Sequence, residues 1–553
     1  MQATLHDNIA DSLSRMSARI PHQAALIAPA GLKLGQPVYS ILNYHQLEER
    51  TNQAANGLKS MGIEEGTKVV LMVKPSIDLF TLVFALFKTG AVPIMIDPGI
   101  GLKHLKQCIG DAEPDAFIGI SQAHIARILM GWGKKTIQTK LWVGTGFSGT
   151  IPTFDQLLTE NKNATTFKIS PRPKESQAAI LFTSGSTGTP KGVVYTHQTF
   201  LAQVEAIRKM FEIEPGDINL PTFPLFALFD PALGMTTVIP DMDPTRPAQA
   251  DPKKLIHAIN TFGITTMFGS PALLNTLGRY ADTHGVKLPS MKRVISAGAP
   301  VPAETMKRIK NMLPGNATLF PPYGATESLP VACLEADEVI SETWRKTENG
   351  AGICVGKTVP QIDVRILEIT DSPIEKMEDV TQYQCNQVGE ITVRGPMVTE
   401  NYFNQPEATT KAKIKDGDHI WHRMGDLGYF DSQERLWFCG RKAHRVQITK
   451  SDTLFTTQVE GIFNQHPSVF RSALVGIGPK PNQRPVMCIE FEQEVPPTKH
   501  PKRLSELQEI AKTHTSTLGI QDFLPHPGFP VDIRHNAKIN REKLSLWAEE
   551  KLS

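Results

Sequence analysis

The chain has 553 residues, 40% hydrophobic and 21% charged, a balance that fits a soluble globular protein of more than one domain. Its 58 basic and 56 acidic side chains leave a net charge of +2, which gives no support to nucleic acid or an anionic membrane as an obligate partner. Six scattered cysteines without a C-x-x-C pair point to neither a zinc site nor a disulfide framework.

Asp7 and Asp11 stand where a secretory signal needs an apolar core, so export is not expected. From Tyr44 to Gly62 apolar positions recur at helical spacing, Thr67 to Val73 reads as a buried strand, and Ser76 is placed to cap a following helix. The most hydrophobic stretch, Leu79 to Ile96, is interrupted by Lys88, Gly90 and Pro93; it reads as a core helix and a strand rather than a membrane span. With Ala116 to Ile120 as a further strand, helix and strand alternate as in a parallel α/β sheet. His124 to Gln138 reads as a solvated amphipathic helix ending in Lys134 and Lys135. A cytoplasmic enzyme is the simplest overall reading.

The strand Ala178 to Phe182 then feeds the stretch LFTSGSTGTPKG, Leu181 to Gly192. Gly185, Gly188 and Gly192 with Thr183, Ser184, Ser186 and Thr187 let backbone amides and hydroxyls converge on a polyanion; Lys191 adds a point charge for phosphate. It is not a Walker loop, because the lysine precedes the glycine. Helices over Thr199 to Phe211, Asp251 to Phe262 and Pro271 to Ala281 alternate with strands at Ile264 to Phe268 and Arg293 to Ser296. Past Gly350, Asp363 to Ile369, Glu390 to Arg394 and Leu436 to Cys439 are short strands of a β-rich subdomain. From about Gly440 a small α+β domain is expected, with strands at Ser472 to Gly476 and Val486 to Phe491 and helices near Gln458 to Asn464 and Leu504 to Leu518.

Two further stretches carry chemistry. In PYGATE, Pro322 to Glu327, Tyr323 offers a flat face for a base, Thr326 a hydroxyl for phosphate, and Glu327 an oxygen ligand for Mg²⁺. In MGDLGYFD, Met424 to Asp431, Asp426 sits in an expected turn, where its carboxylate can accept the two hydroxyls of a ribose. Lys538 and Arg541 are three apart in a basic stretch, His535 to Leu544. GICVGKT, Gly352 to Thr358, only mimics a Walker motif, since Ala351 replaces its first glycine, and is expected to be turn structure. The histidines, His197 included, lack metal-ligand spacing and read as structural.

In their order, the loop, PYGATE, GEITVRGP (Gly389 to Pro396), MGDLGYFD, GRKAHR (Gly440 to Arg445) and Lys538 resemble the adenylate-forming superfamily over nearly the whole chain. That group includes acyl-CoA synthetases, fatty-acyl-AMP ligases, peptide-synthetase adenylation domains and luciferases. The resemblance implies a large N-terminal domain of stacked α/β sheets with a β-rich subdomain (1–440) and a small mobile C-terminal α+β domain (441–553), with ATP and substrate between them. It implies that Thr183, Ser184, Gly185, Ser186, Thr187, Gly188 and Lys191 meet the triphosphate, and that Gly298, Ala299 and Pro300 line the adenine pocket beside Tyr323 and Gly324. Thr326 would touch the α-phosphate and Glu327 the Mg²⁺, Asp426 and Arg441 would hold the ribose, and Lys538 would bridge carboxylate and α-phosphate.

The chain departs from the acyl-CoA synthetase pattern at two places. Ala443, His444, Thr449, Lys450 and Ser451 stand where a pair of acids and a glycine-rich thiolation turn are usual. FPLFALFDP, Phe223 to Pro231, carries Ala227 at a position usually aromatic or histidine and Asp230 inside an apolar run, where it is either a helix cap or a pocket group. With VIPDMDPTRPA, Val238 to Ala248, these departures resemble the β-lactone synthetases of bacterial long-chain olefin biosynthesis. Those enzymes adenylate a 2-alkyl-3-hydroxyalkanoic acid whose own hydroxyl expels AMP, a nucleophile already held beside the carbonyl. Phe226, Phe229 and Leu233 would suit the alkyl chains, although a Phe/Leu run equally suits a core, and Asp230 is a candidate base for the hydroxyl. Pathway partners implied are a thiolase-like condensing enzyme, a ketoreductase-like dehydrogenase and an α/β-hydrolase. The alternatives are a long-chain fatty-acyl-CoA synthetase or fatty-acyl-AMP ligase, and a catalytically silent relative.

Overall fold

The computed structural model describes residues 8–97, 100–146, 149–169, 172–183, 190–531 and 539–553; at Thr183 it describes the backbone alone. Three sheets precede residue 442 and two smaller ones follow residue 445, giving a large N-terminal and a smaller C-terminal domain of mixed α/β structure. Among the described residues no helix is long and apolar enough to cross a membrane.

The first sheet places Thr139–Trp142, Ala116–Gly119, Lys68–Met72, Val92–Ile96 and Gln177–Thr183 in parallel, with Lys191–Thr196 antiparallel at the edge. Every residue of Val92–Ile96 is buried, as a parallel strand covered by helices on both faces must be. Helix Ile77–Thr89 packs beside it, begun by the Ser76 side chain accepting from Leu79 N–H and ended by a left-handed Gly90.

The second sheet runs Thr318–Phe320, Arg293–Ile295, Thr266–Phe268, Ile218–Pro221, Thr236–Val238, Ala24–Lys33 and Gln36–Asn43, parallel except for the final hairpin. Its register sets Asn219 opposite Thr237 on one side and Thr266 on the other. The third sheet holds the antiparallel strands Tyr323–Ala325, Ser328–Cys333, Ile353–Thr358, Leu436–Arg441, His419–Phe430, Gly389–Arg394 and Asp363–Leu367, with Lys413–Asp416 beside His419–Phe430. The C-terminal domain contains a three-stranded sheet of Val469–Ile477, Arg484–Phe491 and Asp522–Pro525, with helices Thr456–Asn464, His500–Ala511 and Arg541–Leu552.

Four expectations are corrected. The helix expected over 124–138 is Ser121–Met130; Gly131, in the left-handed region at φ +66°, caps it, so Lys134 and Lys135 fall in the turns that follow. The helix expected over 504–518 is His500–Ala511; Thr517 Oγ1 donates to the Ala511 carbonyl at 2.7 Å and closes the chain into a short 3₁₀ turn, Thr515–Thr517. GICVGKT holds a strand, Ile353–Thr358: a Cβ on Gly356 would lie 1.9 Å from the Cys333 carbonyl oxygen, so this glycine serves strand packing. Asp426 lies within the twelve-residue strand His419–Phe430, not in a turn; its neighbour Gly428 lets the Trp437 carbonyl approach at an irregularity in the ladder.

Candidate active site

The glycine- and hydroxyl-rich loop leaves the first sheet at its edge hairpin, where Thr183 pairs with Lys191. Ser184, Gly185, Ser186, Thr187 and Gly188 lie outside the described residues. Lys191 is half-buried at the start of its strand, with its ammonium 4.9 Å from the centroid of the Tyr402 ring. Burial draws its pKa down, and the nearby Glu327 resists that shift. A second cation, Lys413, lies 5.9 Å from the same ring and donates to the Thr399 carbonyl. Burial lowers its pKa to about 7, against the pull of Glu327 and Glu400.

Between these cations the Tyr402 hydroxyl donates to Glu327 Oε1 at 2.7 Å, fixing the carboxylate expected to meet Mg²⁺. The Glu327 backbone carbonyl is held in turn by Thr399 N–H at 2.9 Å, and Tyr195 donates to the carbonyl of Thr326. Tyr402, Lys413 and Tyr195 lie outside every motif singled out from the sequence. Their contacts are long-range, and no local spacing marks them.

The group expected to face the nucleoside is equally tight. Asp426 and Arg441 are opposite each other on adjacent strands, and the guanidinium meets Asp426 Oδ1 at 2.9 Å. Tyr323, whose strand follows Thr318–Phe320 by two residues, donates its hydroxyl to Asp426 Oδ2 at 2.7 Å. Burial raises the Tyr323 pKa well above its ordinary value, with the Asp426 charge adding to the effect; Asp426 is likewise the main cause of the raised Arg441 pKa. Asp426 is 3% exposed, and Gly298, Ala299 and Pro300 follow the strand Arg293–Ile295 at the surface.

Beside these elements lies a cavity of about 60 Å³ lined by Phe226, Phe229, Asp230, Leu233, Asn219 and Phe268, with Ala297 and Pro322 at the side of the residues expected to meet the nucleotide. All four expected pocket residues are thus brought together. The rings of Phe226 and Phe268 stack at 4.2 Å. Asp230 is not a capping side chain: it is the first residue of a four-residue helix, Asp230–Leu233, and makes no cap bond. Its side chain belongs instead to the lining of the cavity.

Lys538 lies outside the described residues. Arg541, its partner in the basic stretch, is structural, with its guanidinium on Glu460 at 2.6 and 2.9 Å and on the Leu474 carbonyl at 3.0 Å. His197 is also structural: its ring accepts from Ile9 N–H at 3.3 Å, and burial lowers its pKa to about 4. Among the described residues no three His, Cys, Asp or Glu side chains form a group able to hold a metal by themselves.

The family of AMP-binding enzymes matches residues 15–403. The chain is 48% identical over 550 residues to an olefin beta-lactone synthetase of Xanthomonas campestris, covering 98% of each chain. It is also 48% identical to an olefin beta-lactone synthetase of Stenotrophomonas maltophilia, covering 99% of this chain and 98% of that one. Among solved structures, the fold is similar to the anthranilate CoA ligase AuaEII in complex with anthranoyl-AMP, at TM-score 0.81 and 17% identity over the whole of both chains. The amide bond synthetase McbA of Marinactinospora thermotolerans matches at TM-score 0.78 and 21% identity, covering 98% of this chain and 99% of that one.

Proposed function

The chain belongs to the AMP-binding enzyme family, and on that premise we propose that it is an ATP-dependent, AMP-forming β-lactone synthetase of olefin biosynthesis. It adenylates a long-chain 2-alkyl-3-hydroxyalkanoic acid, whose 3-hydroxyl displaces AMP. The near-full-length 48% identity to two proteins bearing that name carries the reading. The apolar cavity that reaches the nucleotide elements at Ala297 and Pro322 supports it.

In the first half-reaction a carboxylate oxygen attacks the α-phosphorus and pyrophosphate leaves. The loop 183–188 and Lys191 hold the triphosphate, Gly298, Ala299, Pro300, Tyr323 and Gly324 the adenine, and Asp426 with Arg441 the ribose. Thr326 contacts the α-phosphate, and Lys538 brings carboxylate and phosphate together by offsetting their repulsion. Glu327 would hold Mg²⁺, which neutralises phosphate charge. One carboxylate, oriented by Tyr402, suits an ion that takes its remaining oxygens from phosphate and water. Tyr402→Phe keeps the ring between the two lysines and removes only the bond to Glu327. It is expected to raise the Mg²⁺ needed for half-maximal ATP–pyrophosphate exchange by about 10-fold, and an unshifted Mg²⁺ titration would contradict this role.

The boundary proposed for the two domains is 440/441. At that boundary Lys442 is tied to Glu390 at 3.0 Å and Arg445 to Asp371 at 2.5 Å. Ala443 and His444 replace the paired acids that precede thiolation in acyl-CoA synthetases, which favours an internal nucleophile over CoA. The chemistry fits a cytoplasmic enzyme fed by a thiolase-like condensing enzyme and a ketoreductase-like dehydrogenase and followed by an α/β-hydrolase. The test is product analysis with ATP, Mg²⁺ and a long-chain 3-hydroxy acid without CoA. Lactone, AMP and pyrophosphate are expected; AMP and pyrophosphate with no lactone would sink the reading, and CoA thioesters of plain fatty acids would favour the acyl-CoA ligase alternative.

A further inference from the structure

A polar node is set into the otherwise apolar cavity. Asp230 is 3% exposed; Asn219 Nδ2 donates to its two carboxyl oxygens at 3.0 and 2.9 Å, and Thr237 Oγ1 donates to Oδ2 at 2.9 Å. The fold explains how they meet. Asn219 and Thr237 are opposite one another on neighbouring strands, and the connection between those strands carries Asp230 back over them.

Among the described residues no cation answers this carboxylate. The cavity lining contains no Lys, Arg or His. On the elements packed against it, Arg208 donates to the Ala232 carbonyl at 3.1 Å, Arg293 is held by Asp217 at 2.7 Å, and Tyr44 donates to the Met235 carbonyl at 2.7 Å. Burial raises the Asp230 pKa to about 7 even though Asn219 and Thr237 both pull it down.

What the node lacks is a donor. Asp230 Oδ1 accepts only from Asn219, and Asn219 Oδ1 is buried with no hydrogen-bond partner among the described residues. A buried oxygen left unpaired costs stability unless a ligand completes it. The missing group is a hydrogen-bond donor, which a hydroxyl on an apolar body supplies and a plain alkyl chain does not.

Resting on the lactone reading above, we propose that the Asp230 carboxylate receives the 3-hydroxyl of the substrate and takes its proton as the ring closes, with Asn219 orienting the pair. The 3-oxygen forms its bond to the acyl carbon while the bond from that carbon to the bridging phosphate oxygen breaks. AMP leaves with the electron pair, and the hydroxyl proton passes to Asp230 and then to solvent.

The experiment is Asp230→Asn, which preserves shape, assayed for both half-reactions with a long-chain 3-hydroxy acid. Lactone release is expected to fall at least about 100-fold, with acyl-adenylate accumulating, while pyrophosphate exchange loses far less. In the wild type the single-turnover lactone step should rise with pH through about 7, following the carboxylate. Lactone release by the variant within a few-fold of wild type, or a pH-independent lactone step in the wild type, would overturn the assignment to Asp230 alone. The wild-type profile decides the matter even if the variant does not fold. Absence of lactone from the wild type would overturn the lactone reading and this inference with it.

Discussion

Lys538→Ala is expected to lower ATP–pyrophosphate exchange by about 10² to 10³-fold, the loss typical when one preorganised donor is removed from developing negative charge. In adenylation a carboxylate must approach an already anionic phosphate, and the proposed job of Lys538 is to offset that repulsion at the moment of attack. The substitution should not unfold the domain. The described residues on either side have contacts of their own: Val531 bridges Ile539, Asn540 N–H donates to the Pro530 carbonyl at 2.7 Å, and Arg541 is locked on Glu460. Thermal unfolding of the variant should therefore match the wild type. Exchange at the wild-type rate would contradict the role.

The largest effect on stability is expected at Glu390, which lies one strand away from the domain boundary. Its Oε2 meets Arg423 Nη2 at 2.6 Å and Lys442 Nζ at 3.0 Å, and the Glu390 and Arg423 side chains are 1% and 3% exposed. Arg423 also donates to the carbonyls of Thr370, Ser372 and Lys411, so the guanidinium cannot turn away toward water without breaking several bonds. Glu390→Ala leaves two cations facing an empty site. A loss of about 3–5 kcal/mol is expected from breaking such a buried pair, measured as denaturant unfolding of the large domain. The double variant Glu390→Met/Arg423→Met should recover part of the loss, because it removes the uncompensated guanidinium. A single variant as stable as wild type would show that the pair contributes nothing.

Much of the fold was legible because its signals are local. Ser76 and Gly90 announce a helix at its ends, and the all-buried Val92–Ile96 has the unbroken apolar run of a covered parallel strand. Pairs such as Asp426 and Arg441 were assigned through ordered motifs, although register brings them together across fifteen positions of chain. What escaped is what local pattern cannot hold. Tyr402 reaches Glu327 from 75 residues away, and Asn219 reaches Asp230 only through the crossover between two strands. Asp426 was misplaced into a turn because a glycine that lets two strands approach and a glycine that reverses the chain are the same letter. The helix expected past Met130 shows the opposite case: amphipathic periodicity continued, but Gly131 stopped it.

The stacked pair Phe226 and Phe268 has a kinetic meaning. On the proposed function, a space of about 60 Å³, of the order of two water molecules, is too small for two alkyl chains, and its lining, the stacked rings included, would have to open to admit them. Chain entry would then follow an opening step, and at high substrate concentration the rate of association would level off at the frequency with which the lining opens. The energy spent on opening would be subtracted once from affinity, so the whole chain gains less than about 0.8 kcal/mol for each methylene buried, although the increment between successive homologues is unchanged. An acid with short chains would bury less apolar surface there and hold the opened lining less well.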